Sequence, residues 1–201
     1  LEDHLPDLLD HVRALAAEIA GGQLQRGDEL VQRNRDFYTT GRMAAIESVA
    51  PGWQDMATQA DGATLNHVTQ VLISLHLLPE YRQAEQRLQA LMEWSVLYHD
   101  LGKQVVGGQR DALHAFRSAT MAARSLPKLG LSGSAVDPAG LSHWTGRVLG
   151  ASVAASDGKG LLQDNRQLPE ILAGLEQLFG AGSPVALIVQ AVMLHQSLSV
   201  V

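Results

Sequence analysis

The 201-residue chain contains no cysteine. Disulfide scaffolds, thiolate zinc sites, iron–sulfur clusters and thiol nucleophiles are therefore excluded, and any metal must be held by His, Asp or Glu. The same absence favours a reducing, cytoplasmic setting. Aromatic residues make up 4% of the chain, too few for a base-stacking platform. A net charge of −6, with charged residues at 18%, leaves no broad basic footprint for nucleic acid. Long hydrophobic runs are also missing. The most apolar stretch, 184–201, is interrupted by Gln190, His195, Gln196 and Ser197 and is short for a bilayer span, so no membrane partner is expected. The chain opens without Met and stops at Val201 inside an apolar pattern, as expected of a piece of a longer protein.

What is present is helical patterning. Leu5, Leu8, Leu9, Val12, Leu15, Ala16 and Ile19 share one face of a helix over 4–20, closed by Gly21-Gly22. The same reasoning predicts helices over 28–49, 64–78, 80–99, 111–125, 141–155, 167–179 and 184–199. Breaks fall at Pro51-Gly52, Pro79, Gly102 and Pro127, a loop at 129–140 and a surface turn at 156–160. Sustained period-2 alternation, the mark of strands, does not occur. The expectation is an all-α bundle of seven or eight helices. Residues 1–62, which carry no recognisable motif, are expected as a helical region packed on a core of 63–201, or as a homodimer contact.

Four of the eight histidines fall on stripes expected to face inward. His67 shares one with Val71, Leu75 and Leu78, and His99 continues Leu88, Leu91, Met92 and Ser95. His114 lies with Ser118, Met121 and Ala122, and His195 with Ile188, Ala191 and Val192. One such imidazole is ordinarily a core residue satisfied by a backbone carbonyl. Four together are more economically placed around a shared cation. His99 and Asp100 are adjacent, so both reach one ion only at a helix end, and Gly102 is read as the residue that ends it. Imidazole beside carboxylate suits Mn²⁺, Fe²⁺, Co²⁺, Ni²⁺ or Zn²⁺ better than Ca²⁺. His4, His11 and His76 receive no role, and Trp53, Trp94 and Trp144 read as core fillers.

The segment Tyr98-His99-Asp100-Leu101-Gly102-Lys103 resembles the motif of the HD-domain metal-dependent phosphohydrolase superfamily. The stretch around His67 resembles the upstream helix that supplies that family's first His. The stretches around His114 and His195 resemble those of its two-metal members. The resemblance covers residues 63–126 well and 184–196 loosely. His143, inside the long interval between His114 and His195, is an alternative to His195. The family's final Asp has no clear counterpart: Asp157 sits in the 156–160 turn, and the residue is either beyond Val201 or lacking in this member.

The resemblance implies that His67, His99 and Asp100 hold one divalent ion and that His114 and His195 hold a second, with Asp100 shared. The ions would be Mn²⁺, Fe²⁺, Ni²⁺, Co²⁺ or Mg²⁺, one or two per chain, activating water for attack on phosphorus. Asp100 and Lys103 are then the catalytic candidates, and Lys103 and Arg117 the contacts to a small phosphate-containing, nucleotide-like substrate. Gly107-Gly108 reads as a loop, or as part of the substrate mouth. Three other readings share the motif: an HD-fold di-iron oxygenase, an inactive HD signalling module, and a CRISPR-type nuclease, the last disfavoured by the acidic balance.

Overall fold

A computed structural model describes residues 1–105, 111, 113–132, 135–154 and 167–196. Among these the chain is helical throughout, with no strand. It divides into two compact units, Leu1–Leu97 and Tyr98–Val201. Within the first unit, residues 63–77 pack against residues 6–20.

The first unit holds α1 (Pro6–Ala20), α2 (Asp28–Phe37), α3 (Thr40–Val49), α4 (Trp53–Thr58), a 3-10 turn (Gln59–Gly62), α5 (Ala63–Leu77), α6 (Pro79–Gln83) and α7 (Gln86–Tyr98), whose last residue begins the second. Leu8, Leu9, Val12 and Leu15 form the buried face of α1, and Val68, Leu72 and Ile73 that of α5. Removing such faces from water is the main drive for packing. The helix expected over 28–49 is two helices. Tyr38 leaves helical geometry, Thr39 is extended as the N-cap of α3, and the Tyr38 hydroxyl lies 2.5 Å from Thr69 Oγ1 on α5. A buried phenol needs such a partner, and the chain turns to supply it.

The helix over 80–99 is likewise interrupted, at Ala84. Tyr81 there donates its hydroxyl to Glu93 Oε1 (2.5 Å) and lies 3.3 Å from His76 Nε2. Burial alone would raise the Glu93 carboxyl. The hydrogen bonds from His76 and Tyr81 outweigh burial and hold it below the usual range.

The second unit holds α8 (His114–Ser125), a 3-10 turn (Leu126–Leu129), α9 (Pro138–Ala154), α10 (Leu168–Phe179) and α11 (Pro184–Leu194). Ser183 caps α11 through the N–H of Ala186, with Pro184 opening the helix. Helix α11 packs on α8, which is flanked by α9, and α10 touches both α9 and α11. Trp144 joins α9 to α10 by donating its indole N–H to the Ile171 carbonyl at 2.8 Å. All three tryptophans are buried, as expected of core fillers. No described helix is long and apolar enough to cross a membrane. Gly107-Gly108, Asp157 and the turn at 156–160 lie outside the described residues.

Candidate metal centre

Helix α7 ends at Tyr98. Leu101 N–H then bonds to the Tyr98 carbonyl and Lys103 N–H to that of Asp100, two tight turns that let neighbouring side chains leave in different directions. Leu97, Tyr98 and Leu101 are buried anchors around them. Asp100 is 2% exposed. Gly102 allows this turn, though not by left-handed backbone, the property expected of a helix-ending glycine. A Cβ there would stand 2.6 Å from Arg117 Cβ and 2.7 Å from Ser118 N. Glycine is needed because α8 approaches too closely for any side chain, and the Gly102 N–H donates to Ser118 Oγ at 2.8 Å.

His114 opens α8 and is buried. Its Nδ1 donates to the Asp111 carbonyl at 2.5 Å, and its Nε2 faces Asp100 Oδ1 at 2.8 Å. His195 follows the last turn of α11, and its Nδ1 donates to the Val192 carbonyl at 2.6 Å. Its Nε2 stands 3.1 Å from that of His114 and 3.8 Å from Asp100 Oδ1. His99 lies edge-on to His195, ring centroids 5.3 Å apart, with Nε2 3.7 Å from the same oxygen. Backbone carbonyls thus orient the His114 and His195 rings with Nε2 inward, the arrangement usual for metal-bound histidine.

The donor set fits a divalent cation. One ligand atom each from Asp100, His114 and His195 lies within 4.8 Å of the others. Two atoms each about 2.1 Å from one ion stand about 3.0 Å apart at a right angle and about 3.4 Å apart in a tetrahedron. Two imidazole nitrogens and a carboxylate oxygen converge on one point, an arrangement that favours positive charge there, whether a proton or a cation. Burial raises the Asp100 carboxyl, but the hydrogen bond from His114, the charge of His99 and the bond from Lys103 together hold it far below the ordinary range. His195 is lowered, chiefly by burial, which keeps its ring neutral and able to ligate.

The other sequence candidates are His143, His67, Lys103 and Arg117. His143 is exposed on α9 and is not in the Asp100 cluster. His67 sits on α5 in the first unit and is exposed. The buried face of α5 runs through Thr64, Val68, Thr69, Leu72, Ile73 and His76, so the stripe through His67 is displaced by one residue, about 100° around the helix. The stripe on α7 departs similarly: Leu88 is exposed, while Glu93, Trp94 and Leu97 are buried. Lys103 Nζ pairs with Asp100 Oδ2 at 2.8 Å. Arg117, expected to meet substrate, donates Nε to the Gly102 carbonyl at 2.8 Å and pairs with Asp111, so its guanidinium is engaged within the fold.

Sequence reasoning missed two residues. Asp111 was expected inside a helix, but α8 begins at His114 and Asp111 orients that ring from outside. Gln196 places its amide nitrogen 3.1 Å from His114 Nε2; its only signal was adjacency to His195. No family model, curated protein or solved structure matches the chain, so what the site can do is read from its own geometry.

Proposed function

We propose that the chain is a divalent-metal-dependent phosphohydrolase of HD type, a phosphomonoesterase or phosphodiesterase acting on a nucleotide-like or other small phosphate ester. The observation that carries this reading is the convergence of His114 Nε2, His195 Nε2 and Asp100 Oδ1, with both Nδ1 atoms bonded to backbone carbonyls. The motif resemblance adds His67 and His99 to the ligand set. A divalent ion so held supplies hydroxide at neutral pH by lowering the pKa of a bound water from 15.7 towards about 7.

Each residue has a task in that chemistry. Asp100 remains ionised because its neighbours outweigh its burial, so it provides a permanent negative ligand. His114 and His195 would present their Nε2 atoms to the ion, each ring oriented by a backbone carbonyl at Nδ1. Lys103, whose side chain is 28% exposed, has its flexible ammonium at the edge of the cluster, where a phosphate oxygen can compete for it.

The test pairs two measurements on protein purified without added ions: metal content, and turnover of a generic phosphodiester and a generic phosphomonoester with Mn²⁺ supplied. The expected result is bound metal and ester cleavage in the wild type, both lost in Asp100→Asn. Retention of metal and turnover in that variant overturns the proposal. Oxygen consumption by iron-loaded protein without ester cleavage would assign it to the oxidative reading instead.

A further inference from the structure

One hydrogen-bonded ring joins the loop that carries Asp100 to the helix that carries His114. On the loop side, the Gly102 carbonyl accepts from Arg117 Nε and the Gln104 N–H donates to Asp111 Oδ2 at 2.7 Å. On the helix side, Asp111 Oδ1 accepts from the Leu113 N–H at 3.2 Å, and the Asp111 carbonyl accepts from His114 Nδ1 at 2.5 Å. The Arg117–Asp111 ion pair closes the ring. Every member is bonded to a residue within three positions of a proposed ligand, or to the ligand itself.

We infer that Arg117 and Asp111 are positioning residues, an ion pair outside the ligand set that holds Asp100 and His114 at the separation a cation needs and so governs metal affinity and geometry. The inference rests on the metal-site reading above and gives Arg117 a different task from the substrate contact that the resemblance implies. Three features favour it over a plain structural pair. Asp111 makes four bonds of three kinds, and two of them immobilise backbone on opposite sides of the site. The Asp111 and Arg117 side chains are 10% and 25% exposed, shielded enough that the pair is more than a screened surface contact. The close approach of Gly102 to Arg117 and Ser118 sets the Asp100 loop directly on the turn of α8 that carries the pair, so a shift in the pair reaches the loop.

The experiment titrates Co²⁺ into the full chain and follows its ligand-field absorption, which reports geometry as well as affinity. The proteins are the wild type, Arg117→Gln, Arg117→Lys, Asp111→Asn, Asp100→Asn, and Arg147→Gln, which breaks a surface ion pair to Glu170 in the same unit. Arg117→Gln and Asp111→Asn are expected to weaken Co²⁺ binding 10- to 100-fold and to alter the band shape, with helical content unchanged. Arg117→Lys is expected to recover part of the affinity and Arg147→Gln to match the wild type. Wild-type affinity and spectrum in both Arg117→Gln and Asp111→Asn overturn the inference. Should Arg117→Gln not fold, the isosteric Asp111→Asn decides alone. The metal-site reading fails separately: it falls, and this inference with it, if the wild type binds no Co²⁺ or if Asp100→Asn binds it equally well.

Discussion

His114 and His195 come from helices far apart in the chain, yet their Nε2 atoms face each other at 3.1 Å, each ring turned by a backbone carbonyl on its other nitrogen. Binding of a cation at this point is linked to folding, since the unfolded chain has no such arrangement. Mn²⁺ at a hundred times its dissociation constant is expected to stabilise the fold by about 2.7 kcal/mol, which raises the melting temperature by about 5–10 °C for a chain of this size. Differential scanning fluorimetry with and without a chelator checks this. His195→Ala should abolish the shift.

Gly102→Ala drives a methyl group into Arg117 Cβ and the Ser118 backbone nitrogen. Backbone cannot step aside as a flexible side chain does, so a cost of about 1–3 kcal/mol is expected. Urea denaturation gives the stability, and Co²⁺ titration of the folded variant should show weakened binding.

His11 stacks on Phe37 with ring centroids 4.2 Å apart and lies 3.3 Å from Asn34 Oδ1. Burial, outweighing the Asn34 hydrogen bond, holds its pKa below the ordinary value, which is about 6.5 in an unfolded chain. The unfolded state therefore binds more protons as pH falls through that value, and stability declines on acidification. Unfolding midpoints at pH 7.5 and 5.5 are expected to differ, with less difference in His11→Gln. An unchanged slope in that variant would contradict the assignment.

Trp144→Phe removes the indole N–H that the buried Ile171 carbonyl accepts. That carbonyl keeps its intrahelical partner on α10, so the loss is that of one hydrogen bond, about 0.5–1.5 kcal/mol. Chemical denaturation should find the loss. Metal affinity is expected to change little, because neither residue touches the Asp100 cluster.

The all-helical fold was legible because apolar spacing on α1, α10 and α11 is regular. His114 and His195 stood out because imidazoles on apolar helical stripes need partners, and Asp100 because it directly follows His99 at an expected helix end. The breaks at Tyr38 and Ala84 were hidden: neither site has glycine or proline, and each break serves a long-range bond, Tyr38 to Thr69 and Tyr81 to Glu93. The stripe through His67 is less buried than its residue types suggest: Val71 and Leu75 are only half-buried on α5, while Thr64, Thr69 and His76 occupy its inner face. Asp111 was invisible for a different reason. Its contributions are a main-chain oxygen and carboxylate bonds within an irregular turn, and neither leaves a periodic trace.

Helix α8 meets α11 over a surface where its own buried residues include Ala115, Ala119, Ala122 and Ala123. Such short side chains let the two backbones lie close, and that closeness brings one ring from each helix to a common point. Short side chains on α8 thus bear on how near its ring comes to that of α11, without a single donor atom among them.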